Sequence, residues 1–204
     1  VFERSKNPSA LSYFSSAVEA YGSRETNAFE QLLSHVSKIF FGYLSSEKPL
    51  HECSDLVEAY FEMCQRYLLF CPAAFVRCEA LSSIGSCAME CLTACKGERN
   101  STRATLNFWE KIIGWRRLPV PADVRQTLEI GSHRLDEITA IHGQRLIQAC
   151  IDMLMGGVRS LWPPAGDVVF AVILASVNWP VPEGADSSVA RQWLESVSLV
   201  TASA

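Results

Sequence analysis

Eight cysteines and four histidines are the residues with which this chain of 204 could do nucleophilic or metal chemistry. The cysteines are Cys53, Cys64, Cys71, Cys78, Cys87, Cys91, Cys95 and Cys150. No two of them have the two-residue gap of a zinc ribbon or a thioredoxin motif. Cys87, Cys91 and Cys95 recur every four residues and so share one helix face. That stripe reads either as a metal or redox site or as small apolar residues at a tight helix–helix contact, and the second is the ordinary use of buried thiols. Unpatterned thiols in a helical chain predict a reducing compartment, cytosol or nucleus.

The histidines are His35, His51, His133 and His142, none in an HExxH pattern or beside a Gly-x-Ser-x-Gly elbow. His142 shares a side with Ile138 and Leu146, which predicts a partly buried imidazole before a general base. Gly156-Gly157 lacks the Lys-Ser/Thr of a phosphate loop. Asp136-Glu137 has no partner base in view. Arg116-Arg117 after Trp115 is the one tight basic pair in a tryptophan setting. It either stacks on nucleic acid or caps a helix C-terminus, where cations meet the negative dipole end. The expectation is no enzyme, no cofactor and no metal.

Composition narrows the class. Hydrophobic residues make up 49% and charged residues 20%, the balance of a folded chain and not a disordered one. The net charge of −4 argues against a general binder of nucleic acid or anionic membranes and leaves room for a basic partner. The longest uncharged apolar run, 168–177, is about half of what a membrane helix needs, so no membrane insertion is expected. The chain begins at Val1 with no signal-peptide pattern and reads as a piece of something longer.

The elements that must position these residues are helices; alternating strand patterns are nearly absent. Pro8 opens a helix over 8–21 that Gly22 closes. A second covers 26–44 with the stripe Phe29, Leu32, Leu33, Val36, Ile39 and Phe40. Ser54 caps a third, 54–70, which Pro72 ends. A fourth runs over 78–95. Asn100 or Ser101 caps a fifth, 101–115. A short helix follows from 122 to 129. Ser132 starts the longest, 132–156, with Leu135, Ile138, Ile141, Leu146, Ile147, Cys150, Ile151 and Leu154 on its apolar side. Gly143 is a possible kink there, since glycine inside a helix costs about 1 kcal/mol against alanine. Trp162-Pro163-Pro164 breaks the chain before a helix over 167–178 that Asp167 caps, and a last amphipathic helix covers 187–199.

In order these make four pairs, 8–44, 54–95, 101–156 and 167–199. Their spacing resembles the long end of HEAT-type periods. A helix pair cannot bury its apolar faces alone, so the expected fold is all-α, an α-α superhelix of HEAT or armadillo type, in one solenoid segment over 1–204. A plain globular helical domain fits the same pattern. Asp136, Glu137, Gln144, Gln148 and Asp152 fall on the polar side of 132–156. If that side lines the inner surface of a solenoid, it offers acceptors to a basic partner; otherwise it is a solvated face.

Specific strings carry a family resemblance. Asn7-Pro8-Ser9, Tyr13 and the run from Ser15 to Gly22 resemble the opening of a C-terminal repeat in the transportin-SR branch of the importin-β (karyopherin) superfamily. Further resemblances follow in the same order: Asp55 to Phe61, Asn100 to Trp109, Gly143-Gln144-Arg145-Leu146-Ile147, Pro163-Pro164 with Asp167-Val168, and Arg191-Gln192-Trp193-Leu194-Glu195. The resemblance implies HEAT repeats with inner helices 26–44, 78–95, 132–156 and 187–199. It implies a nuclear transport receptor shuttling between nucleus and cytoplasm, carrying basic or Arg/Ser-rich RNA-binding proteins and contacting nucleoporins. Cargo would be released by the GTP-bound small GTPase Ran, through an N-terminal region that this chain lacks. The family's arginine-rich helix has no counterpart here. The other reading is a non-transport HEAT-repeat adaptor in a larger assembly.

Overall fold

The computed structural model describes residues 2–46, 50–95, 98–118, 120–176 and 191–195, and among them every regular element is a helix. A short α1 (Phe2–Ser5) buries Phe2. In α2 (Pro8–Tyr21) the Asn7 side chain accepts the Ser9 N–H at 2.9 Å, and Pro8 occupies the first turn, where no N–H is required. Gly22 ends the helix. A Cβ there would lie 2.8 Å from Cys71 Cβ, so glycine lets this turn rest on the far end of a later helix. Cys71 Sγ donates to the Gly22 carbonyl at 3.0 Å across that contact.

The chain continues as α3 (Thr26–Ser46), then α4 (Ser54–Phe70) after a 3-10 turn at Leu50–Cys53. Ser54 is the first helical residue of α4 and not its cap; Cys53 holds the cap position, and its side chain does not cap the helix. Pro72 ends α4, as the sequence predicts, but it also opens a helix of its own, α5 (Pro72–Arg77). Cys78 accordingly lies in a turn, and α6 runs over Leu81–Ala94. The next helix, α7 (Arg99–Ile113), begins two or three residues earlier than an Asn100 or Ser101 cap would allow, with Glu98 at the cap position. After a 3-10 turn at Trp115–Arg117 come α8 (Ala122–Ile130) and the long α9 (Ser132–Gly156).

The start of α10 (Trp162–Ser176) corrects the expectation of a cap at Asp167. Pro163 and Pro164 do not break a helix; they fill its first turn, whose N–H groups have no intrahelical acceptor. Of the expected last helix, 187–199, residues 191–195 are described and are helical; the rest lies outside the described residues.

Packing follows chain order in two rows. Helices α2, α4, α7 and α10 form one row, each against the next, and α4 lies most closely between its neighbours. In the other row α3 packs on α5, α5 and α6 pack on α9, and α8 braces α5. Helix α9 also closes onto α7 and α10, which joins the rows. The core is aromatic along this seam. Phe40 stacks on Tyr60 with centroids 3.9 Å apart, Phe61 meets Phe108 at 5.2 Å, and Trp109 meets His142 edge-on at 5.7 Å.

Tyrosine hydroxyls inside this core are satisfied, as buried polar groups must be. Tyr60 Oη shares a 2.7 Å bond with Ser37 Oγ, and Tyr67 Oη donates to the Phe29 carbonyl at 3.1 Å. Both bonds tie α4 to α3.

Two glycines permit close approach. A Cβ at Gly85 on α6 would fall 2.8 Å from Ile138 Cγ2 on α9. A Cβ at Gly143 would fall 2.1 Å from Trp193 Cζ3, so the glycine expected to kink α9 is instead the seat for an indole.

Candidate binding face of the long helix

Twenty-five residues of α9 present a buried half and an open half. The buried half carries Leu135, Ile138, His142, Leu146, Cys150 and Met153 at helical spacing, and these meet α6, α7 and α10. The open half carries Glu137, Ile141, Gln144, Arg145 and Asp152. Ile141 belongs to that open half with 61% of its surface exposed, which corrects its placement in the apolar stripe. The buried arc spans about half the helix circumference, and Ile141 sits roughly 60° beyond its edge at Ile138.

The five residues singled out by helix geometry do not act alike. Asp136 sits at the edge of the buried arc and is held from below. Arg116 grips both of its oxygens, Nη1 to Oδ1 at 3.1 Å and Nη2 to Oδ2 at 2.9 Å, and the Trp115 indole N–H donates to Oδ1 at 3.4 Å. The same guanidinium lies over the Trp115 ring at 4.3 Å. A carboxylate so occupied braces the α7–α8 connection; its charge is already answered. Arg125 completes the brace by donating to the carbonyls of Arg116 and Leu118.

The other four lie on the open half or at its margin. Glu137 and Gln144 are exposed. Gln148 Nε2 donates to Asp152 Oδ1 at 2.8 Å, one helical turn on. That bond fixes an amide oxygen and a carboxylate side by side, both free to accept from a partner's cations. Glu137 lies on the same side, about three turns toward the N-terminus.

His142 is buried against Trp109, and burial, helped by the Arg145 charge, pushes its pKa below the ordinary 6.5. It packs as a core imidazole, close enough to α6 that a Cβ at Gly85 would meet its ring at 3.5 Å. The eight cysteines are all reduced and buried. Bonds to Cys87 and Cys95, then burial, drive the Cys91 thiol upward; the Cys95 thiol is pulled down by the bond from Cys91. Burial alone raises Cys150 to about 12. The Cys87–Cys91–Cys95 stripe is a buried packing seam along α6 and its C-terminal cap, beside Gly85 and Ala88. Among the described residues no group of three or more His, Cys, Asp or Glu is placed to hold a metal ion, and no helix is long and apolar enough to cross a membrane.

The Arg116–Asp136 clamp escapes sequence reading, because twenty positions and the whole of α8 separate the partners and either one alone resembles a surface charge. The basic pair Arg116-Arg117 resolves differently for each member: Arg116 is half-buried and Arg117 exposed. Arg116 is spent on Trp115 and Asp136, and Arg117 lies 5.9 Å from the Phe170 ring of α10. No protein-family model matches the chain, and no curated protein matches it.

Proposed function

We propose that the chain is a solenoid of stacked helical hairpins that serves as a protein-binding scaffold, with the open half of α9 as its contact surface. The supporting observation is the order of packing. Each helix of the row α2, α4, α7, α10 lies against the helix one hairpin away, and among the described residues α2 makes no substantial contact with α7, α9 or α10. Rods gathered about one centre would touch out of order. Stacked pairs bury a continuous seam and leave a long lining suited to extended ligands.

The resemblance to transportin-SR-type karyopherins makes this reading specific. The partner is then a basic or Arg/Ser-rich RNA-binding protein, carried between cytoplasm and nucleus, and Glu137, Gln148 and Asp152 accept from its cations. No step needs a catalytic group. Ran-GTP acts elsewhere in such a receptor, so this chain alone does not bind it tightly.

The test is capture from nuclear extract on the immobilised chain, with and without added Ran-GTP, read by mass spectrometry. Enrichment of Arg/Ser-rich proteins supports the transport reading. A fixed set of subunits from one assembly, with no Arg/Ser-rich protein, would favour the adaptor instead. Micromolar or tighter binding of Ran-GTP to the chain by itself would contradict the assignment of Ran to another region.

A further inference from the structure

A second surface has the opposite charge preference. Where α5, α8 and the first turn of α9 meet, the chain forms an open pit of about 440 Å³. Its wall is mostly apolar: Ala73 and Val76 from α5, Thr127 and Ile130 from α8. Gly131 forms the floor, and a Cβ there would fall 2.5 Å from Val76 Cγ2, so this corner closes only around glycine. Ile130 stands on the rim with 76% of its surface exposed, the most exposed of the large aliphatic side chains among the described residues.

Three basic side chains surround the pit: Arg77, His133 and Arg134. Arg134 is fixed in place, donating to the Val76 and Cys78 carbonyls, the latter at 3.0 Å. Those two bonds hold the guanidinium without neutralising it and leave further N–H groups for a ligand. Arg77 is held by Glu30 at 3.1 Å, which answers part of its charge. The rim therefore keeps a net cationic character beside an unfilled apolar wall.

We propose that this pit docks an acidic peptide segment carrying one large apolar side chain. The apolar side chain lies against Val76 and Ile130, and flanking carboxylates meet Arg134 and His133. Such a site combines an anchor in a pocket with charges that set orientation and reject basic sequences. It adjoins the α9 face, since Glu137 lies one helical turn beyond His133; on the reading of that face as an acceptor of cations, one chain would hold two partners of opposite charge.

The experiment selects from a display library of short random peptides on the full-length chain, then repeats the binding on Ile130→Asp and His133→Glu. Both positions are exposed, and circular dichroism checks that the helices persist. The selected peptides are expected to carry a Leu, Ile, Met or Phe within a few residues of Asp or Glu. Ile130→Asp is expected to weaken them by roughly tenfold or more and His133→Glu by a smaller factor. Selection of basic peptides, no selection at all, or acidic peptides indifferent to Ile130→Asp would overturn the proposal. So would sedimentation showing that the chain self-associates and that Ile130→Asp alone abolishes it, since a second copy would then be the occupant.

Discussion

Arg116 and Asp136 meet through two parallel hydrogen bonds, 2.9 and 3.1 Å long, with the Trp115 ring stacked beneath the guanidinium. This contact fixes the α7–α8 connection against α9 and so sets where the open half of α9 points. Both side chains keep about a third of their surface, 36% and 33%, so water screens the pair and its worth is modest. Asp136→Asn is expected to cost about 1 kcal/mol, or roughly 2–4 °C in melting temperature for a chain of this size. Arg116→Lys keeps the charge but loses the fork and the stacking, so it should cost nearly as much. Urea melts of both single variants and the double variant measure the coupling, and a coupling of zero would show that the contact holds nothing.

The close approach of α6 to α9 depends on Gly85. Gly85→Ala gains helix propensity, about 1 kcal/mol, yet must push its methyl into Ile138 Cγ2. Branched side chains are stiff at that carbon, so overpacking wins and a net loss of about 1 kcal/mol is expected. Ile138→Leu removes the Cγ2 branch at constant volume. The double variant Gly85→Ala/Ile138→Leu should therefore be more stable than the two single losses added together. Strict additivity in denaturant melts would place the contact elsewhere.

His142 couples stability to pH. Its folded pKa lies below the ordinary 6.5, so the unfolded chain takes up this proton first as the pH falls. The stabilising contribution is complete above 6.5 and is lost as the pH drops through that value toward the folded one. His142→Phe keeps a ring against Trp109 and does not titrate. The stability difference between about pH 8 and pH 5.5 should be smaller in this variant than in the parent chain. Equal differences in urea melts would mean that His142 is not buried uncharged.

Thiol chemistry gives an independent reading of the core. With every cysteine buried, the folded chain should react with Ellman's reagent only as fast as it opens, and all eight should react at once in guanidinium. Rapid modification of Cys87, Cys91 or Cys95 in the native chain would show that their face of α6 is open and not a packing seam.

The reach of the sequence is uneven for physical reasons. Helices α2, α4 and α9 are readable to within a residue or two because Pro8, Gly22, Pro72 and Gly131-Ser132 punctuate them. Helix α5 is hidden: six residues are too few to show a period, and Pro72 reads as a stop although it is equally a start. Pro163 and Pro164 mislead in the same way at α10. At the site, periodicity finds Glu137, Gln144, Gln148 and Asp152 on one open side, since that is a property of one helix. It misplaces Ile141, because the width of the buried arc is set by neighbouring helices. It leaves Asp136 without its partner, because the clamp to Arg116 exists only once α7 and α9 are side by side. The pit at Ile130 is likewise a product of three helices and has no local signature.

In the proposed function the open half of α9 accepts a basic protein segment. Titrating a fluorescent Arg/Ser-rich peptide into the chain at physiological salt, and into Glu137→Lys/Asp152→Lys, tests it most directly. Both substituted residues are exposed and lie outside the core, so the fold should persist. Saturable binding by the parent chain is expected, with a loss of roughly tenfold or more in the double variant, since two acceptors become two repelling cations. No binding by the parent chain, or equal affinity in the variant, would contradict it.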